Sequence, residues 1–439
     1  MAVPAVEETN AIRPTVAVIA TVHWASTTRL CLALAEGGFR VLALVPDHHA
    51  LRRLRPIETA LLGRTRAQAM RRIGRLLADP IDMVVPADER AIDLVHTTYA
   101  AALARRDANH RRLAELIESS LGSDSAFTMG GRKGRFVTLA REEGVRVPDT
   151  WPVRGEAELG SLLAERRFPL VLKQDESFGG LGVRIVRDQP EALHAFRELR
   201  AGASAWAAFK LALRKLDPGH LARRARPITL QQYIAGRPAN RAVACDRGRV
   251  LAGLSVEVLE ATNATGPATV VRIVDRPDMA EAAARMVARL QLSGLIGFDF
   301  MIEEATGRAF LLEMNVRPTQ ICHLAFGEDS DMIGALARRH GAVPTCRPLP
   351  AAPGTIAFYP QEVWRDANSA HLAAAFLDVP WHVPDFIDAY RTPLPAEPAD
   401  WVQRLQRQWR LLRRPRDRTP APEPSMLSAK AKAAGPITL

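Results

Sequence analysis

The stretch Lys173-Gln-Asp-Glu-Ser177-Phe-Gly179-Gly180-Leu-Gly182-Val183 carries the first residues of this 439-residue chain whose types and order suit chemistry. Glycines let backbone N–H groups approach an anion with no side chain between, Ser177 adds a hydroxyl donor, and Lys173 adds a full positive charge. Such a set suits phosphate oxygens. It is not a Walker A loop, in which the lysine follows the glycines and opens a helix. An ordinary hairpin turn with an exposed lysine is the alternative. The second stretch is Asp299 followed by Glu313-Met-Asn315-Val-Arg317-Pro. Strand alternation puts Glu313 and Asn315 on one face, with Arg317 beside them if the chain stays extended. A hairpin centred on Thr306 sets Asp299 directly across from Glu313. Three oxygen donors then converge, a set that fits magnesium, a hard cation that shares its shell with substrate phosphates. Without a cation, adjacent carboxylates repel. A solvated hairpin face is the alternative. Between the two stretches, Gln231-Gln232-Tyr233-Ile234-Ala-Gly236 reads as a strand end and turn, able to offer a carbonyl and an N–H to an adenine edge or to do nothing more than end a strand.

Elements to hold these residues are visible in the periodicity. Residues 15–21 (TVAVIAT), the helical RLCLALAEGG with its stop at Gly37 and Gly38, and RVLALVP form a β-α-β unit, which implies parallel strands and a right-handed crossover. IDMVVPAD at 81–88 adds a strand. Residues 1–115 thus read as a Rossmann-like domain, with no GxGxxG to indicate a dinucleotide. Helical patterns cover 111–120 and 134–144, and TWPV (150–153) is strand-like. PLVLK (169–173) and VRIV (183–186) predict a β-hairpin around the glycines, and 190–226 reads as helical. ITLQQYI, RAVACD and RVLAGLSVEVL alternate as antiparallel strands. A helix at about 279–292 precedes the hairpin GFDFMI–EEATGR–AFLLEMN, whose Phe298, Phe300, Phe310 and Leu312 are expected to face a core. A Pro-rich linker, a small domain near 355–395, a basic helix at 401–414 and a disordered tail complete the chain.

Composition narrows the classes. The net charge of +11 comes from 53 arginines and only six lysines, and much of the excess sits between Arg404 and Arg418. No RRM, KH, zinc-finger or basic-zipper pattern accompanies it, so nucleic acid is not the expected partner. Cys31, Cys245, Cys322 and Cys346 lie too far apart for a disulfide framework or a CxxC metal site. No apolar run reaches the ~18 residues of a membrane-spanning helix, and MAVPAVEETNAIRP lacks the order of a signal peptide. The expectation is a cytoplasmic protein. HExxH and GxSxG are absent, which argues against a zinc protease and an α/β-hydrolase.

Taken together, the lysine, glycine stretch, QQYIxG segment and D…ExNxR hairpin resemble the ATP-grasp superfamily, most of all its carboxylate–amine ligase and carbamoyl-phosphate-synthase-like branch. The resemblance spans roughly residues 15–335. It implies an α/β and α+β multidomain chain: a Rossmann-like pre-ATP-grasp domain (1–115), an ATP-grasp domain of two α+β subdomains (116–338), a small C-terminal region (339–400), and a basic helix with a tail (401–439). By the same resemblance, Lys133 (in GGRKGRFVTLAREEGVRVP) and Lys173 contact the ATP phosphates, and Ser177, Gly179, Gly180 and Gly182 form the mobile phosphate loop. Gln231, Gln232, Tyr233 and Ile234 match the adenine hinge. Asp299, Glu313 and Asn315 match the ligands of Mg2+ (or Mn2+), and Arg317 steadies an acyl-phosphate, so that Lys173 and Arg317 are the expected catalytic residues. The implied reaction joins a small carboxylate to a small amine while ATP becomes ADP and phosphate, in a chain that resemblance alone makes a homodimer. Two departures stand out: the family commonly has a glutamate where this chain has Gln231-Gln232, and 199–226 is long.

Other positions carry weaker expectations. His23, Trp24, Ser26 and Thr27 fall at the carboxyl edge of the first strand, where ligands bind in such sheets, although a Ser/Thr helix cap is preferred. Arg272 suits either a carboxylate substrate or a bare surface. His48, His49 and His323 read as polar loop residues rather than metal ligands. Trp401, Leu405, Trp409 and Leu412 form an apolar stripe among arginines, which suits docking on the chain's own domain or a subunit, or else weak contact with an anionic membrane. Two alternatives to a ligase are therefore an ATP-binding protein without catalysis and a peripheral membrane or scaffold protein.

Overall fold

The structure is a computed structural model that describes residues 13–105, 107–123, 129–130, 132–175, 182–201, 227–263, 266–342 and 354–391. The chain is one compact unit up to Arg391. The basic helix and tail expected from 401 onward lie outside the described residues, as does most of 199–226.

Short β-branched runs buried on both faces make a parallel sheet, because helices must cover both sides. β1 (Thr15–Ile19), β2 (Arg40–Val45), β3 (Glu58–Leu61) and β4 (Met83–Pro86) form such a sheet in the order β3-β2-β1-β4, with every β1 residue buried. The helix Ala25–Glu36 leads from β1 to β2 and stops at Gly37, and Gly38 turns the chain at φ 93°. Helices Glu89–Leu103 and Ala108–Leu121 share a core with the sheet through Ile19, Val84, Val95 and Ile117.

A second, antiparallel sheet has the order β5-β8-β6-β7, made of β5 (Thr150–Val153), β6 (Leu170–Gln174), β7 (Val183–Val186) and β8 (Ile228–Gln232). Its apolar face packs under helices Glu156–Ala164 and Gln189–Ala201 through Leu159, Leu172, Phe196 and Leu230. The predicted hairpin is present, with Lys173 paired to Val183.

The third sheet has seven strands: β9 (Gly236–Asp246), β10 (Arg249–Ala261), β11 (Ala268–Ile273), β12 (Gly294–Glu303), β13 (Ala309–Asn315), β14 (Thr355–Phe358) and β15 (Phe376–Asp378), in the order β13-β12-β9-β10-β11-β14-β15. Helices Lys133–Glu142 and Pro277–Leu290 bury Phe136, Met279 and Met286 against Phe298, Phe300 and Leu311. The stretch near 355–395 does not build a sheet of its own, since β14 pairs with β11 and extends the large one. The β12–β13 hairpin sets Asp299 opposite Glu313, as its turn predicts, but a register shift follows at once, so that Phe300 faces Leu311. The shift leaves Leu312 as an extra residue and reverses the alternation beyond it. Phe298 and Phe300 are core residues as expected, whereas Phe310 and Leu312 are only half-buried and Ala309, Leu311 and Met314 take the core face. Among the described residues no helix is long and apolar enough to cross a membrane.

Candidate active site

Lys173 is the penultimate residue of β6, and Lys133 opens the helix Lys133–Glu142; both are buried. Their ammonium groups meet the carboxylate pair of the β12–β13 hairpin. Lys133 Nζ lies 2.9 Å from Glu313 Oε2. Asp299 Oδ1 accepts from Asn240 Nδ2 at 2.6 Å and Oδ2 from Asn315 Nδ2 at 2.8 Å. Asn240 in turn accepts from Thr319 Oγ1 at 3.1 Å. Asn240 sits on β9 directly beside Asp299. The motifs in the sequence single out neither Asn240 nor Thr319. The available signal is an asparagine inside the apolar-alternating strand that follows Gly236.

Burial and charge divide the roles of the two acids. Burial, and next the charge of Glu313, push Asp299 above the ordinary carboxyl range. Burial also works to raise Glu313, but Lys133 and then Lys173 outweigh it and hold Glu313 below its ordinary value. Lys173 is lowered to about 8, chiefly by burial; Glu313 opposes this and Lys133 adds to it. The described residues contain no group of three or more His, Cys, Asp or Glu placed to hold a metal ion. The donor set is instead two carboxylates and an amide. It fits a hard divalent cation that completes its shell with phosphate oxygens, since two half-buried acids in contact repel and so favour a cation between them.

The remaining expected residues divide. Gln231 is buried, its Nε2 donates to Thr150 Oγ1 at 2.9 Å, and its backbone pairs with β5 on one side and β6 on the other. Gln232 Oε1 accepts from Asp149 N at 3.3 Å. Both glutamine side chains are thus engaged within the fold, and Tyr233 and Ile234 lie past the last residue of β8, outside both ladders. Gly236 answers to packing: a Cβ there would stand 1.9 Å from the carbonyl oxygen of Ile302. Gly182 closes the β6–β7 turn by accepting from Gln174 N at 2.9 Å. Ser177, Gly179 and Gly180 lie outside the described residues.

Arg317 departs from expectation. β13 ends at Asn315 and the chain bends, so the guanidinium leaves the carboxylate patch. Its Nε and Nη2 donate to Glu89 Oε1 at 2.9 and 2.5 Å, and it lies over the ring of Trp24 at 5.5 Å. Glu89 opens the helix after β4, and Trp24 precedes the helix after β1. Arg317 therefore meets the carboxyl edge of the parallel sheet. No local pattern points to Glu89, because it stands 228 residues away in sequence.

Three further expectations meet the structure as follows. The helix Ala25–Glu36 has Trp24 at its N-cap with no side-chain cap, so Ser26 and Thr27 do not cap it. His49 and His323 lie between regular elements, as expected of loop residues, but both are buried. His49 Nδ1 accepts from Leu51 N at 3.2 Å and His23 Nε2 from Ala50 N at 2.6 Å; burial lowers these imidazoles to about 3 and about 4. His323 Nε2 lies 2.7 Å from Asp378 Oδ2, and Arg29 Nη2 donates to Oδ1 of the same carboxylate at 2.6 Å. Arg272 is a surface residue paired with Glu257.

Residues 133–320 match the model of the ATP-grasp domain family. No curated protein sequence matches the chain. Solved structures share the fold at low identity. The biotin carboxylase domain of 2-oxoglutarate carboxylase from Hydrogenobacter thermophilus, a dimer in complex with MgADP, ADP and bicarbonate, gives a TM-score of 0.53 at 16% identity, over 77% of this chain and 73% of that one. L-amino acid ligase from Bacillus licheniformis gives 0.53 at 16%, over 78% and 79%. N5-carboxyaminoimidazole synthetase from Staphylococcus aureus gives 0.51 at 11%, over 75% and 78%.

Proposed function

Because residues 133–320 match the ATP-grasp domain model, we propose that the chain is a Mg-ATP-dependent ligase that activates a carboxylate as an acyl-phosphate for attack by an amine. The observation that carries this reading is the meeting of Lys133 and Lys173 with the Asp299–Glu313 pair. ATP and a carboxylate are both anionic, so their approach needs positive charge fixed in a site shielded from water. Lys133 and Lys173 supply it from two different elements. A magnesium ion held by Asp299, Glu313 and Asn315 would offset phosphate charge and polarise the γ-phosphoryl group. Lys133, which pairs with Glu313 in the free protein, would turn to a phosphate oxygen when ATP binds and leave that carboxylate free to hold the cation. Asn240 and Thr319 keep Asp299 oriented. The backbone of Tyr233 and Ile234 suits an adenine edge, because the side chains of Gln231 and Gln232 are engaged elsewhere.

In the first step an oxygen of the acceptor carboxylate bonds to the γ-phosphorus while the bond to the β-phosphate oxygen breaks and ADP leaves. In the second, the amine nitrogen bonds to the acyl carbon, the C–O bond to phosphate breaks, and the nitrogen gives up a proton. Arg317, with its guanidinium fork, suits a carboxylate or the acyl-phosphate. The domains divide accordingly: 1–115 before the ATP-grasp region, 116–338 for that region, then 339–400 and 401–439. A homodimer, a cytoplasmic setting and small-molecule partners complete the proposal; the dimeric relative supports the first of these.

The test is ADP release from Mg-ATP with pooled small carboxylates and amines, beside Glu313→Gln. Release that needs the pool and is lost in the folded variant supports the ligase. A folded variant with full turnover would sink the metal assignment.

A further inference from the structure

The Arg317–Glu89 pair bears on the kind of acid this site takes, a question that rests on the ligase reading. Arg317 already has an anionic partner on the Nε–Nη2 edge of its fork. Nε and Nη2 both donate to a single oxygen, Glu89 Oε1, and Nη1 donates to the carbonyl of Pro318 at 3.1 Å. The side chains are 15% and 29% exposed, so the pair is half-shielded from water. Glu89 is held in place from behind. Its neighbour Asp88 accepts from Ala91 N at 2.9 Å, which caps the helix, and from Thr21 N at 2.6 Å and Thr21 Oγ1 at 2.7 Å, which ties that helix to the loop after β1. The same loop carries Trp24, whose ring flanks the guanidinium and is 40% exposed. An anion, a cation and an apolar plate therefore stand together at the carboxyl ends of β1 and β4, the usual place for a ligand in such a sheet.

A carboxylate substrate that takes the Nε–Nη2 edge of Arg317 must displace Glu89 from it. A plain monoanion would leave two carboxylates side by side with one guanidinium between them, which half-burial makes costly. An acid that also carries an ammonium avoids this, because its carboxylate replaces Glu89 on Arg317 while its ammonium gives Glu89 a new partner. We infer that the acyl-donor substrate is a zwitterion, an α-amino acid or a close homologue, with its carboxylate on Arg317, its ammonium on Glu89 and its side chain against Trp24.

The test uses the full-length protein with Mg-ATP and hydroxylamine as the amine, so that any acyl-phosphate is trapped as a hydroxamate. Each amino acid is run beside its deaminated acid of the same carbon skeleton. At least one amino acid should give hydroxamate with kcat/KM about tenfold to a hundredfold above its deaminated partner, the range set by one charge-assisted hydrogen bond. Glu89→Gln should raise KM for the amino acid by a similar factor and erase the preference, with a smaller change in kcat. Glu89→Asp, which keeps the charge, should restore part of it. Hydroxamate formed equally well from deaminated acids, or a preference unchanged in folded Glu89→Gln, overturns the zwitterion and leaves the ligase standing. No ADP or hydroxamate from any acid, with no amino acid raising the melting temperature in the presence of a non-hydrolysable ATP analogue, overturns both.

Discussion

Replacing Lys133 by Met removes the ammonium 2.9 Å from Glu313 while keeping an unbranched side chain at the start of the helix. Two unit charges at that separation attract by about 6 kcal/mol at an effective dielectric of ~20. Desolvation offsets much of this, and removing one partner of a buried pair costs about 3–5 kcal/mol. Lys133 is 10% exposed at its side chain and Glu313 28%, so the lower edge applies, a loss of about 2–3 kcal/mol at pH 8. The effect depends on pH. In the wild type Glu313 sits below its ordinary pKa, so its contribution is complete above the unfolded value and is lost as pH falls through the lower folded one. In the variant, Glu313 faces Asp299 without its nearest cation, and the folded pair holds a proton more tightly than the unfolded chain. Its stability then falls as pH rises. The gap between the two proteins should widen from pH 5.5 to pH 8 in urea unfolding followed by tryptophan fluorescence. Magnesium should narrow the gap at pH 8, since a cation that binds only the folded pair stabilises by mass action. A gap of equal size at both pH values, or one indifferent to magnesium, refutes the reasoning.

Lys173 lies near 8 in the free protein, so kcat/KM for ATP should fall as pH rises through about 8 and the ammonium is lost. Lys173→Arg should lose that limb even if its plateau is lower, and a profile identical to wild type removes Lys173 from phosphate binding. Asp378→Asn strips the charge partner from Arg29 and His323, at an expected cost of about 3–5 kcal/mol near neutral pH. Burial works to raise Asp378, but His323 and then Arg29 hold it well below the carboxyl range. Its contribution is therefore present above the unfolded value of ~4 and shrinks as pH falls below it. Urea midpoints against pH decide this, and a deficit that persists unchanged into acid contradicts it.

Much of the site was legible because it is built locally. The turn in EEATGR sets the β12–β13 pairing, and with it Asp299 across from Glu313. Alternation predicted a polar face for Glu313 and Asn315, and both meet Asp299 or its neighbours there. The same alternation failed at Phe310 and Leu312, three residues and one residue before Glu313. A register shift depends on how two strands share a sheet with β9, and no residue type in AFLLEMN announces it.

The sequence by itself determined the chemistry on offer: two lysines in a chain that has six, a carboxylate pair set by one hairpin, and a β-α-β start. Each depends on residue type and short spacing, which period and turn chemistry express directly. Only the tertiary structure decided which groups meet. Arg317 finds Glu89 across 228 residues, and Lys133 reaches Glu313 across 180. Asn240 becomes a partner of Asp299 because β9 lies between β12 and β10. Charge pairing at such separations is set by the packing of whole sheets, and the free energy of a buried charge depends on everything packed around it.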